Sequence, residues 1–189
     1  MITMNRAILA GSVIVGIAVT MSISMIAPAF AGNNTIICDG IVEFNSIEAN
    51  VVVPKGEECL LLVDTINGNI TIERDAELVT FADTINGNIA GTNGCELHFF
   101  GLTVVNGNVS IRNCSEVKID DDVINGNVSI RGSDFVELDG TEINGNLEVL
   151  RNDAVNIEDL TVNGNTSCLR NNALAGSFNT YNGKNNGCP

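Results

Sequence analysis

The apolar positions of this chain fall into columns when the sequence is cut every 19 or 20 residues. The residue before each Asn-Gly-Asn triplet is Ile66, Ile85, Val105, Ile124, Ile143 or Val162, apolar in every copy. Four residues later stand Ile70, Ile89, Val109, Val128 and Leu147, and two beyond these Ile72, Gly91, Ile111, Ile130, Val149 and Cys168. Between the last two columns lie Thr71, Ala90, Ser110, Ser129, Glu148 and Ser167, so the segment alternates in, out, in as a strand does. A second strand is predicted at Leu78, Leu97, Val117, Val136, Val155 and Leu174, followed two residues on by Thr80, Phe99, Ile119, Leu138 and Ile157. Intervening segments such as Arg131-Gly132-Ser133-Asp134 read as turns. No stretch carries a helical apolar period, and the β-branched content of the columns favours strands.

The Gly of the motif falls at 68, 87, 107, 126, 145, 164 and 183, in steps of 19, 20, 19, 19, 19 and 19 residues. A weaker copy, Ser46 to Val53, lies one period upstream and lacks the Gly. This regularity predicts an all-β fold, a single-stranded parallel β-solenoid of about 19 residues per coil and about seven coils, roughly 35 Å long. The rule for parallel crossovers favours a right-handed coil. The one coil of 20 residues, around Leu97 to Val105, contains Phe99-Phe100 and suggests a local bulge.

The conserved spacing repeats one triplet: Asn67-Gly68-Asn69, Asn86-Gly87-Asn88, Asn106-Gly107-Asn108, Asn125-Gly126-Asn127, Asn144-Gly145-Asn146 and Asn163-Gly164-Asn165. Its Gly implies either a positive φ or no room for a Cβ. Stacked Asn amides can hydrogen-bond along the coil axis as in cross-β ladders, so the triplet reads as structural rather than as a row of ligand sites.

Composition adds a compartment. Residues 1–31, with Arg6 before an apolar run and Ala29-Phe30-Ala31 at its end, read as a secretory signal peptide in preference to an uncleaved anchor. Residues 32–45 read as an N-terminal cap and 46–189 as the solenoid with a Cys-bracketed C-terminal cap, all in one domain. The six cysteines pair by spacing as Cys38–Cys59, Cys95–Cys114 and Cys168–Cys188, separated by 21, 19 and 20 residues, about one coil each. No Cys-x-x-Cys occurs and there is one His, which argues against a cysteine metal site. The net charge of −14 argues against nucleic acid and against an anionic membrane surface as partners of the mature form.

The chain resembles a group of secreted bacterial proteins built from Val-x-Gly-Asn-Val repeats. The likeness rests on the tandem motif, on Val53-Pro54-Lys55-Gly56-Glu57-Glu58-Cys59, and on Cys168 with the closing Asn182-Gly183-Lys184-Asn185-Asn186-Gly187-Cys188. That resemblance implies a secreted solenoid and supplies no activity. A looser similarity is to bactofilins, polymer-forming solenoids that are not exported and lack the cysteine brackets.

On function, the leading expectation is an exported, non-enzymatic structural or surface-binding rod, periplasmic, cell-surface or extracellular, monomeric because both ends are bracketed, with an envelope or glycan partner and no cofactor. No recurring nucleophile, base and oxyanion set can be assembled. The alternative is a polysaccharide-binding or polysaccharide-cleaving β-helix with a Ca²⁺ site at Asp120, Asp139 and Glu158, which stand 19 residues apart beside Asp121, Asp122 and Asp159. Against this, the acidic run reads equally as a solvated turn. A filament subunit is a further alternative. An ice-binding Thr array is interrupted by Glu142 and Glu148. His98 reads as a turn or strand-face residue. Of six Asn-x-Ser/Thr sequons, those at Asn69, Asn108, Asn127 and Asn165 coincide with the ladder, so with Asn33 and Asn113 they imply no glycosylation.

Overall fold

A computed structural model describes residues 34–189. The segment read as a signal peptide and the sequon at Asn33 lie outside the described residues. Each coil makes three strands, one more than the apolar columns predict, because the residue before Asn-Gly belongs to a two-residue strand of its own. In one coil these are Ile70–Ile72, Glu77–Phe81 and Thr84–Ile85. Stacking gives three sheets: sheet I of nine strands, from Thr35–Ile37 to Asn185–Asn186; sheet II of eight, from Ile41–Glu43 to Ala173–Ser177; and sheet III of eight two-residue strands, from Ser46–Ile47 to Thr180–Tyr181. The strands pair in parallel and in register, as in Ser110↔Ser129, Ile111↔Ile130 and Val117↔Val136. This is a parallel β-solenoid with no helix among the described residues.

There are eight turns, one more than the motif reveals. Thr35–Ile37 pairs with Asn50–Val53, and Ile41–Glu43 with Glu58–Leu62, so the segment expected as a cap forms strands of the first coil. The inward columns fill the core: Ile66, Ile70, Leu78, Phe99, Ile111 and Ile130 are all fully buried. Gly91, the gap in its apolar column, has a reason. A Cβ there would lie 2.8 Å from Cys95 Sγ, so the missing side chain makes room for the central disulfide. All three cysteine pairs are bonded as their spacing indicates, with Cα separations of 5.4, 4.5 and 4.8 Å, and no cysteine is free.

The Asn-Gly-Asn triplet binds coil to coil. None of its glycines has a positive φ. A Cβ on Gly87, Gly107, Gly126 or Gly145 would instead lie 2.1–2.3 Å from the carbonyl oxygen of the Gly one coil before, so close stacking of main chain on main chain is what demands glycine. The first Asn of each triplet donates from Nδ2 to Oδ1 of its predecessor, from Asn86→Asn67 to Asn182→Asn163, at 2.5–2.9 Å. The second Asn is bound twice: Oδ1 of Asn108, for example, accepts both the backbone N–H and the Nδ2 of Asn127 at 2.8 and 3.0 Å.

Candidate functional site: the corner between sheets II and III

The corner that joins sheet II to sheet III turns through a left-handed residue in every coil, Phe44, Val63, Ala82, Leu102, Asp121, Gly140, Asp159 and Phe178, with φ between 47° and 66°, and the 20-residue coil adds Gly101 at 60°. Glycine adopts this conformation without penalty, as Gly140 does, whereas a β-branched or bulky residue there is strained by about 1–3 kcal/mol. Four of the eight are nevertheless large and apolar. With the residues that end the strands of sheet II, they make two unlike halves. The N-terminal half presents Phe44, Val63, Phe81, Phe100 and Leu102, exposed by 74, 46, 49, 41 and 76%. In the next three coils the same positions are Asp120, Asp121, Asp139, Gly140, Glu158 and Asp159, and the last coil ends the row with Ser177 and the exposed Phe178. The extra residue of the 20-residue coil lies at the junction. Phe100 pairs with Asp120 and Val104 with Val123, so the insertion, Gly101, falls in the corner and leaves both flanking strands in register. At this junction a groove of about 220 Å³ is lined by Phe100, Lys118, Asp120, Glu137 and Asp139.

Asp120, Asp139 and Glu158 are stacked in register as their spacing implies. Burial, then the neighbouring Asp121 and Asp139, raise the Asp120 carboxyl above its ordinary value. Asp122 does not belong with them. Rather than sitting in a solvated turn, it points inward with 1% exposure, in a column with Asp64, Asp83, Thr103 and Thr141. Its carboxylate accepts the backbone N–H of Thr103 at 2.7 Å and of Asp120 at 3.3 Å, and Asp83 accepts those of Asp64 and Phe81 in the same way. These side chains satisfy main-chain donors that the corner leaves without strand partners.

Burial is the main cause that pushes Asp122 up to about 7 and Asp83 to about 6, the two hydrogen bonds only partly opposing it. Asp122 binds its proton more tightly in the folded than in the unfolded chain, where the value is 3.8. Its contribution is therefore most favourable below that value and is lost as pH rises through about 7. Asp122→Asn should remove this loss. An Asn is accommodated in this column: Asn179 accepts from Leu160 N–H and donates to Ile157 O. Melting curves at pH 5 and pH 8 should show the variant gaining on the wild type at the higher pH; a constant difference between the two proteins would contradict the assignment.

On the outer face of sheet II, Glu58, Glu77, Glu96 and Glu116 stand at one strand position in four successive coils. Beside them lies His98, a strand-face residue as expected. Its Nδ1 is 3.7 Å from Glu77 Oε1, and its Nε2 is 3.3 Å from Glu116 Oε2 and 4.0 Å from Glu96 Oε2. Lys118 holds Glu116 at 2.7 Å. Among the described residues, Glu77, Glu96 and His98 form the group whose potential ligand atoms lie within 4.8 Å of one another; the Asp120 column does not gather its oxygens in this way. The signal for this ladder was present in the 19-, 19- and 20-residue spacing of the four glutamates.

Comparison with family models, with curated proteins and with solved structures returned no match.

Proposed function

We propose that the protein is an exported, non-enzymatic rod that docks on a partner through the corner between sheets II and III. The observation that carries this reading is the exposed apolar half of that corner, Phe44, Val63, Phe81, Phe100 and Leu102. Folding does not need these side chains, and at Phe44, Val63 and Leu102 they are held in a conformation that disfavours them. Because the strip runs directly into Asp120, Asp121, Asp139 and Asp159, the complementary surface is an apolar segment followed by basic groups. Three disulfides fit an oxidising compartment, in keeping with export. A monomer is supported by the C-terminal residues, which fold back across the last coil: Asn179 Nδ2 and Tyr181 Oη both donate to the Pro189 carbonyl. A second reading, glycan binding, is favoured by the groove where Phe100 meets Asp120 and Asp139, a pairing of aromatic and carboxylate groups suited to sugar rings and hydroxyls.

The test is retention on purified envelopes of the cells that produce the protein, compared with a Phe81→Ser/Phe100→Ser variant. Both side chains are well exposed, so the variant should fold, with an unchanged melting temperature as control. Saturable retention that falls at least ~10-fold in the variant supports docking through the strip, a loss of two anchor aromatics at about 1–2 kcal/mol or more. Equal retention of both proteins, or none of either, overturns it. Release of the wild type by soluble envelope glycan would favour the second reading.

A further inference from the structure

We propose that His98, Glu77 and Glu96 form a binding site for one divalent transition-metal ion of the Zn²⁺ type. The site lies on the face of sheet II and does not depend on the docking reading. Three observations support it. The donor set is mixed, one imidazole nitrogen and two carboxylates on adjacent coils, with ligand atoms within 4.8 Å of one another. His98 Nε2 is shut off from solvent and makes no well-formed hydrogen bond, its nearest acceptor being Glu116 Oε2 at 3.3 Å. Finally, a groove of about 230 Å³, lined by Glu57, Glu58, Asp75, Glu77 and Glu96, opens beside the cluster and gives an ion a path of negative potential.

The sheet also explains why a cation is wanted here. In-register stacking sets like charges side by side at a spacing of about 4.8 Å, and directly opposed like charges destabilise a sheet. Burial raises the Glu77 carboxyl, and Glu58, Glu96 and Glu116 raise it further while His98 opposes them. Lys118 neutralises Glu116, to which it is bound at 2.7 Å, and leaves Glu77 and Glu96 uncompensated. With metal–ligand bonds of about 2.0–2.2 Å, tetrahedral donors stand roughly 3.4 Å apart, so the three side chains need to close by no more than about 1.5 Å. The imidazole selects Zn²⁺ and similar ions over Ca²⁺ and Mg²⁺, which prefer all-oxygen sites. Water or Glu116 Oε2 supplies the fourth position. No free thiol competes for the ion, since all six cysteines are paired.

Because the chain has a single histidine, its imidazole is an unambiguous reporter. Zn²⁺ is titrated into the disulfide-intact protein in the presence of millimolar Ca²⁺, which occupies non-specific acidic positions, with heat and the His98 ring resonances recorded together. The expected result is one Zn²⁺ per chain, a shift of the imidazole nitrogens that saturates at that ratio, and binding at least ~10-fold weaker in both Glu77→Gln and His98→Gln. Ring resonances unmoved by Zn²⁺, or undiminished binding by a folded His98→Gln protein, would show a diffuse counterion layer and overturn the site. If His98→Gln does not fold, the ring shift in wild type and Glu77→Gln decides alone.

Discussion

Gly126→Ala should destabilise the protein by about 3 kcal/mol or more, at the upper end of what overpacking does, while Ala49→Gly should change it by less than about 1 kcal/mol. The same exchange between glycine and alanine thus has very different consequences at two copies of one motif. At Gly126 a Cβ would lie 2.2 Å from Gly107 O and 2.5 Å from its carbonyl carbon. The atoms it meets are main chain, held in place by the ladder bond of Asn125 to Asn106 and those of Asn127 to Asn108, so neither side can retreat. Ala49 follows Ser46–Ile47, the terminal strand of sheet III among the described residues, where the column of stacked triplets begins. That is why this copy keeps the apolar positions of the motif and dispenses with its glycine. Urea unfolding of the two variants checks the contrast, and a cost below about 1 kcal/mol at Gly126 would show that the coils are not in main-chain contact.

Replacing Cys95 and Cys114 together by Ala should cost more than removing either terminal disulfide. Closing loops of about 20 residues stabilises by about 3 kcal/mol in each case, on the chain-entropy account. Cys38, Cys59 and Cys168 are core residues too, but the central pair, with Cys95 and Cys114 exposed by 0 and 1%, is enclosed by coils on both sides and packed against Gly91. Its removal leaves space against Gly91, for a total of about 4 kcal/mol or more. A second substitution makes the explanation specific. Gly91→Ala in the intact protein places a methyl group 2.8 Å from Cys95 Sγ and should destabilise it, yet in the Cys-free background the same methyl enters the vacated space and should stabilise. The two changes should therefore couple by at least about 1 kcal/mol in a double-mutant cycle. Equal effects of Gly91→Ala in both backgrounds would mean that the missing side chain in this column has nothing to do with the disulfide.

Columns explain what could be read from the sequence and what could not. A 19-residue period fixes which residues stack, so the inward apolar sets and the three cysteine pairs, each about one coil apart, were legible before any coordinates. The period does not by itself say which way a polar side chain points. Asp122 followed two aspartates and read as solvated, but a corner that turns through a left-handed residue strands backbone N–H groups inside, and a carboxylate can satisfy two of them. Asp64, Asp83 and Thr103, at the same offset before their motifs, carried that information once aligned. The glutamate ladder was overlooked for a related reason: its members are scattered singly along the chain and become neighbours only across coils, whereas the Asp120 run is conspicuous because its residues are adjacent in sequence. The first coil left only a fainter signal, the Ser46 to Val53 copy without its Gly, because no coil among the described residues lies on its outer side against which a glycine would be needed.

The solenoid, its corner and its glutamate ladder require successive coils to lie in register one strand spacing apart, and distances between nitroxide labels test that most directly. Labels at Thr71 and Ser129, three coils apart on the outer face of sheet I, and at Thr71 and Ser167, five coils apart, follow one column through Ala90, Ser110 and Glu148. The backbone separations should be roughly 14 Å and 24 Å, increasing by about 4.8 Å per coil. Separations that fail to grow with the number of intervening repeats, as in a meander of antiparallel strands, would contradict the stack and with it the continuous corner and the glutamate ladder.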